Sequence, residues 1–227
     1  MTMKKLKTVV ISLGGSIIVP GTIDAAFLKR FRDIVQARKE LRFLIICGGG
    51  KICRTYQDAA RSVAMVSDRD LDWIGIRATR LNAELIRSLF GEAAYQKVVH
   101  DPDEVIETDR RIIIGAGFEP GSSTDLRAVQ LAARFGADTV INMSNIDYVY
   151  DKDPNRHPDA KKIDRMSWPE FRQLVGETWD PGLSMPFDPI ASKEADTLGL
   201  TVVIVGNNVD NLERLIEGSA FEGSIIS

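Results

Sequence analysis

Five short apolar runs punctuate the chain: TVVISL at 8–13, RFLIIC at 42–47, RIIIGA at 111–116, TVINMS at 139–144 and TVVIVG at 201–206. They are rich in β-branched residues and mostly unalternated, the pattern of strands buried on both faces of a mainly parallel sheet. Between them the apolar positions change to helical spacing, in DAAFLKRFRDIVQAR (24–38), DWIGIRATRLNAELIRSLF (72–90) and STDLRAVQLAARFGA (123–137). The last opens on Ser123, Thr124 and Asp125 as cap candidates and closes at Gly136. Alternating strands and helices predict an α/β sandwich.

Glycines or small polar residues follow four of the runs: Gly14-Gly15-Ser16, Gly48-Gly49-Gly50, Gly115 to Gly121, and Ser144-Asn145. Ligands of open α/β sheets bind outside the carboxyl ends of the strands, so these segments are expected to share one edge, the candidate active site. The polar, proline-punctuated stretch 150–162 reads as a surface loop, and 166–189 as a small helical flap on the sheet edge. No internal repeat or second domain boundary stands out, so residues 1–227 are expected to form one domain.

Composition narrows the function classes. The 227 residues are 44% hydrophobic and 27% charged, ordinary for a globular chain of one large α/β domain. A net charge of −3 argues against a general nucleic-acid binder, which needs a basic face. Cys47 and Cys53 match neither a disulfide framework nor a zinc motif and read as core thiols in a reducing compartment. The start MTMKKLKTVVISLGG imitates a signal peptide, but Gly14, Gly15 and Ser16 interrupt its apolar run, and no other stretch approaches a membrane span. The expectation is a cytoplasmic protein without a membrane partner.

The glycine loops fit neither familiar phosphate motif. A P-loop would need glycine where Ile45 stands and Ser or Thr where Ile52 stands, and the G-x-G-x-x-G fingerprint fails at Cys53 and at Pro120. The underlying physics survives, because glycines let backbone N–H groups approach phosphate oxygens and a helix start adds a favourable dipole. Several such turns on one edge suit a phosphoryl transferase, which must hold more than one phosphate centre.

Six ordered segments carry a resemblance that spans nearly the whole chain: SLGGS (12–16), GGGKICR (48–54), DWIGIRATRLNA (72–83), GFEPGSSTD (117–125), SNIDYVYDKDP (144–154) and FDPIASKEA (187–195). They resemble the motifs of the amino acid kinase family and, within it, the archaeal-type uridylate kinases. The resemblance implies that family's fold, a three-layer sandwich on a mainly parallel sheet, with acceptor binding mainly N-terminal and ATP binding mainly C-terminal. It implies transfer of the γ-phosphoryl group of ATP to UMP, a step of pyrimidine nucleotide synthesis. Mg²⁺ would accompany ATP with no dedicated protein ligand, and the assembly would be a homohexamer built as a trimer of dimers.

By the same resemblance Lys193 neutralises the transferring phosphate, Asp125 orients the catalytic lysine and backbone donors, and Arg54 grips phosphate. UMP would meet Gly49, Arg54, Asp72 at its ribose, and the loop Phe118, Glu119, Pro120, Gly121, Ser122, Ser123 and Thr124. ATP would meet Gly14, Gly15, Ser16, Gly50, Arg54, Ser144, Asn145, Tyr150 and Asp153. His100 and His157 stand in no motif and read as surface residues.

Four positions depart from the family's pattern. Ser12 stands where many members, though not all archaeal-type ones, have lysine; Tyr148 stands where glycine is usual, so the turn there must differ; and Phe118-Glu119 replaces Thr-His in the acceptor loop. Glu119 beside an anionic acceptor is unfavourable unless it points away or pairs with a base edge. Two other readings stay open: a family enzyme with a different small acceptor, and a non-catalytic relative that binds nucleotide or an oxyanion.

Overall fold

The computed structural model describes residues 6–154, 156–176 and 185–227. Its strands are β1 (Lys7–Leu13), β2 (Leu41–Cys47), β3 (Ile112–Gly115), β4 (Thr139–Met143), β5 (Val149–Tyr150), β6 (Lys162–Ile163), β7 (Arg165–Met166), β8 (Thr201–Val205) and β9 (Ser224–Ile226). Its helices are α1 (Gly15–Ile18), α2 (Ala25–Ala37), α3 (Gly50–Val63), α4 (Asp68–Phe90), α5 (Thr124–Phe135), α6 (Trp168–Val175), α7 (Pro189–Thr197) and α8 (Val209–Ile216).

Seven strands form one sheet in the order β3-β2-β1-β4-β8-β9-β7, while β5 and β6 pair as a separate antiparallel ribbon. The first five are parallel, with Ile11 opposite Ile45 on one side and Ile141 on the other; β9 turns antiparallel to β8. Burial explains why the strand runs are unalternated. Ile11, Leu13, Ile45, Ile141 and Val203 face a core completed by α2, α4 and α8, while Val10, Leu44, Ile46, Val140 and Val202 face one completed by α5, α6 and α7. The three-layer expectation holds, and the five strand runs agree with the observed strands to within one residue at each end.

The helices obey local rules. Asp24 caps α2 through Phe27 N–H, Ser123 caps α5 through Leu126 N–H, and Gly136 ends α5 in the left-handed region at φ 65°. Helix α4 begins earlier than its periodicity indicates, because Ser67 caps it through Asp70 N–H. Helix α3 was not foreseen: its buried residue is the polar Gln57, so it has no apolar stripe to announce it. The flap expected at 166–189 contains α6, held by a capping box at Ser167 and Glu170 and by Trp168 Nε1 donating to Leu200 O at 3.0 Å. The rest of that flap, at 177–184, lies outside the described residues.

Candidate functional site

Because five parallel strands run the same way, the loops after β1, β2, β3, β4 and β8 emerge on one edge. Main-chain bonds lock them together: Gly14 N–H donates to Met143 O at 2.8 Å, Gly48 N–H to Leu13 O at 2.9 Å, and Ser144 N–H to Val205 O at 3.0 Å. The first two glycine loops touch backbone to backbone. A Cβ on Gly15 would lie 2.2 Å from Gly50 N, and one on Gly50, whose φ is +62°, would lie 2.2 Å from Gly15 C and O. Bare main chain is therefore a packing requirement here, as well as a way to present N–H groups at the start of α3.

Asp125, in the first turn of α5, sits at the centre. Its Oδ1 accepts from Ser12 Oγ at 2.8 Å and its Oδ2 from Asp188 N at 3.3 Å, tying the first loop, α5 and the start of α7 together. Asp125 retains a little solvent contact as a residue, but its carboxyl is enclosed. Burial pushes that carboxyl up to about 6, with the nearby Asp188 carboxylate adding to the rise and the Ser12 hydroxyl opposing it. Asp188 is also raised by burial; its Oδ1 accepts from Ala191 N–H as the α7 cap, while its buried Oδ2 lacks a partner among the described residues.

The acceptor loop is held from α4. Arg80 donates to Gly117 O at 3.2 Å and Phe118 O at 3.1 Å, Thr79 Oγ1 accepts from Gly117 N at 2.9 Å, and Asp72 Oδ2 accepts from Gly121 N at 2.8 Å. Asn82, deeper in the same helix, donates to Gly48 O at 2.8 Å, so one helix fixes two of the edge loops. Glu119 is turned toward Arg127, with Oε1 3.9 Å from Nη2, and Arg127 stacks over the Phe118 ring at 4.9 Å. The loop thus brings the counter-charge that its acidic residue needs.

Ser144, Asn145, Tyr150 and Asp153 line a second cavity of about 340 Å³ with Tyr148, Met185 and Pro186. Tyr148 is buried and avoids positive φ, as every described non-glycine residue does, and Lys162 Nζ lies 4.3 Å from its ring centroid. The turn that glycine usually makes is replaced by a ring packed under the β5–β6 ribbon. Tyr150 and Lys162 pair across that ribbon, so both ends of the expected surface loop are stranded.

Lys193 is exposed on α7 and Arg54 on α3, and neither has an ion pair among the described residues. The structure does not join them to Asp125 by any direct bond. Lys51 is likewise exposed, and His157 is exposed as expected, whereas His100 is half-buried with an unpartnered Nδ1 and borders a cavity with Trp73 and Phe118. Asp188, Arg80 and Arg127 were not singled out from sequence. Thr79 and Asn82 were within reach, since they occupy the polar positions of the quoted α4 motif. Among the described residues no group of three or more His, Cys, Asp or Glu side chains gathers to hold a metal.

The sequence model of the amino acid kinase family matches residues 7–206. A uridylate kinase of Thermoplasma volcanium is 35% identical over 215 residues, covering 93% of this chain and 94% of that protein. One from Methanobrevibacter smithii is 34% identical, with 96% and 99% covered. The crystal structure of uridylate kinase from Archaeoglobus fulgidus superimposes with a TM-score of 0.83 at 31% identity, covering 98% of this chain and all of that one.

Proposed function

This chain belongs to the amino acid kinase family, and on that premise we propose that it is a UMP kinase, transferring the γ-phosphoryl group of ATP to UMP to give UDP and ADP. The observation that carries the reading is the meeting of the strand-end glycine loops on one edge, with Asp125 bonded to both Ser12 and the start of α7. In the transfer, an oxygen of the UMP phosphate forms a bond to the γ-phosphorus. The bond from that phosphorus to its bridging oxygen breaks, and its electron pair leaves with ADP. A phosphate monoester's second pKa is about 6, so the nucleophile is already ionised at neutral pH and needs no general base. Catalysis is then positioning and charge neutralisation.

Each residue's part follows from its place. Backbone N–H groups of Gly15, Gly49 and Gly50 receive the phosphates, with Ser16 beside them and Gly14 holding the first loop in place through its bond to Met143 O. Arg54 grips phosphate with its planar fork of donors, and Lys193 neutralises the moving group. Asp125 orients these cations and the α7 start. Asp72 keeps one carboxylate oxygen for the UMP ribose, and the loop 118–124 wraps the acceptor. Ser144, Asn145, Tyr150 and Asp153 form the adenosine side.

Phosphoryl transfer of this kind uses a metal, and Mg²⁺ fits a site with hard oxygen donors but no closed protein cage. It would be held mainly by the triphosphate's own oxygens, with no dedicated protein ligand. The homohexamer expected of the family, in the cytoplasm, is part of the same proposal, and the exposed apolar residues Tyr56, Val63, Met65 and Leu81 are surface that contacts between copies would cover.

ADP release measured with UMP, acetylglutamate and carbamate in turn tests the function. Turnover of UMP at least about a hundredfold above the others is expected, and activity on acetylglutamate without activity on UMP would overturn the reading. A second expectation concerns Arg54, which is exposed and unpaired, so Arg54→Ala should leave the thermal midpoint unchanged. The KM for UMP should rise about tenfold to a hundredfold, as loss of a charged hydrogen bond to substrate implies. An unchanged KM would remove Arg54 from the acceptor site.

A further inference from the structure

Glu119 is the residue whose presence in an anion-binding loop most needs a reason. A carboxylate there repels a phosphate, so it belongs at the opposite end of the acceptor, where the base lies. Three observations give it a task. First, four main-chain groups of the loop are already committed: the carbonyls of Gly117 and Phe118 accept from Arg80, and the amides of Gly117 and Gly121 are bonded to Thr79 and Asp72. Pro120 has no N–H, and the Glu119 carboxylate is the one charged side chain of the loop 117–124.

Second, that side chain is 61% exposed, yet it is anchored from behind by Arg127, whose side chain is only 6% exposed. Arg127 is itself fixed by a 2.6 Å bond to Gln130 and by its stack on Phe118. The carboxylate is therefore biased toward the Arg127 side of the loop, and the cation it faces is itself held in place. Third, Glu119 borders a cavity of about 630 Å³ that combines the rings of Trp73, Phe118 and His100, which suit a flat heterocycle, with Arg69, Arg80, Asp101 and Glu104 at its walls.

A carboxylate only accepts hydrogen bonds. Uracil offers it N3–H, flanked on both sides by carbonyl oxygens that repel it, whereas cytosine offers the N4 amino group, the usual partner of Glu and Asp. We propose that Glu119 is the specificity-determining residue for the acceptor base and that its carboxylate admits cytidylate alongside uridylate, a proposal that rests on the UMP kinase reading above. The phosphoryl step is the same with either acceptor: an oxygen of the CMP phosphate bonds to the γ-phosphorus and ADP departs with the bridging oxygen's electron pair.

The test is kcat/KM for CMP and UMP with the wild-type chain, Glu119→Gln and Glu119→Ala, alongside calorimetric binding of each monophosphate. The expected wild-type CMP-to-UMP ratio is above about one-tenth, falling at least about tenfold in Glu119→Gln, since a glutamine amide pairs with both N3–H and O4 of uracil. Glu119→Ala should also lower the ratio, through weaker CMP binding. The KM for ATP should stay unchanged in both variants while the CMP-to-UMP ratio moves, which separates base reading from a structural role, because loss of the Arg127 ion pair by itself would act on both monophosphates alike. A wild-type ratio below about one-tenth, or a smaller fall than that in Glu119→Gln, overturns the proposal while leaving UMP turnover intact. Absence of turnover on both monophosphates would overturn the kinase reading itself.

Discussion

Replacing Lys193 by alanine is expected to lower kcat by about a hundredfold to a thousandfold while leaving the KM values for ATP and UMP within a few-fold. The side chain is exposed and unpaired, and α7 holds without it, with Asp188 as its cap, Pro189 in its first turn and Ala191 and Ala195 buried beneath. Alanine is also the best helix former, so the thermal midpoint should not fall. What is lost is a cation that matters when charge spreads over the transferring group. Ser12 offers a neutral hydroxyl to Asp125 and no second cation, so in the proposed mechanism the neutralisation falls mainly on Lys193. Lys193→Arg should recover part of the rate, because the charge returns in a different shape. A loss of kcat below threefold in Lys193→Ala, measured by coupled ADP release, would favour the non-catalytic reading.

How far the site was legible depended on whether a residue's partner lay close in sequence or across the fold. The strand runs and the glycines that end them announced the edge, because double-sided burial and close backbone approach each leave a local signature. Ser123 and Gly136 marked the ends of α5 for the same reason. The bond from Ser12 to Asp125 spans 113 positions, and that from Asp188 to Asp125 spans 63; neither leaves a spacing to read. Ser12 was therefore legible only as a missing lysine, when in the fold it holds the central carboxylate. Arg127 was not singled out because its position three residues after Thr124 does not tell that the loop folds Phe118 onto it. The strand β9 and helix α8 were missed because short C-terminal elements carry too few periodic positions, and α3 because its packing on α4 is polar and glycine-rich.

Asp125→Asn is expected to make the protein more stable as it makes it inactive, and only above a definite pH. The folded-state carboxyl titrates at about 6 against an ordinary value of 3.8, so the folded chain holds this proton more tightly than the unfolded one. Below pH 4 both states are protonated and the residue imposes no penalty. Between pH 4 and 6 the unfolded state ionises first, and stability falls. Above 6 the full penalty is in force, at most about 3 kcal/mol for a shift of roughly two units.

Asparagine removes the ionisation but keeps the shape, and its oxygen can still accept from Ser12. Its amino group loses the bond from Asp188 N–H, a constant offset that does not depend on pH. The difference in unfolding free energy between variant and wild type should therefore rise in the variant's favour by about 2 kcal/mol from pH 4.5 to pH 8, measured by urea titration without nucleotide. Turnover should drop by at least about a hundredfold, on the proposed role of Asp125 in orienting Lys193. Saturating ATP and Mg²⁺ should shrink the stability gain, since the cations that arrive with the ligand favour the ionised carboxylate of the wild type. A difference that stays flat across the pH range would mean that Asp125 is ionised at no cost in the free protein, and that its charge is already matched by a cation nearby.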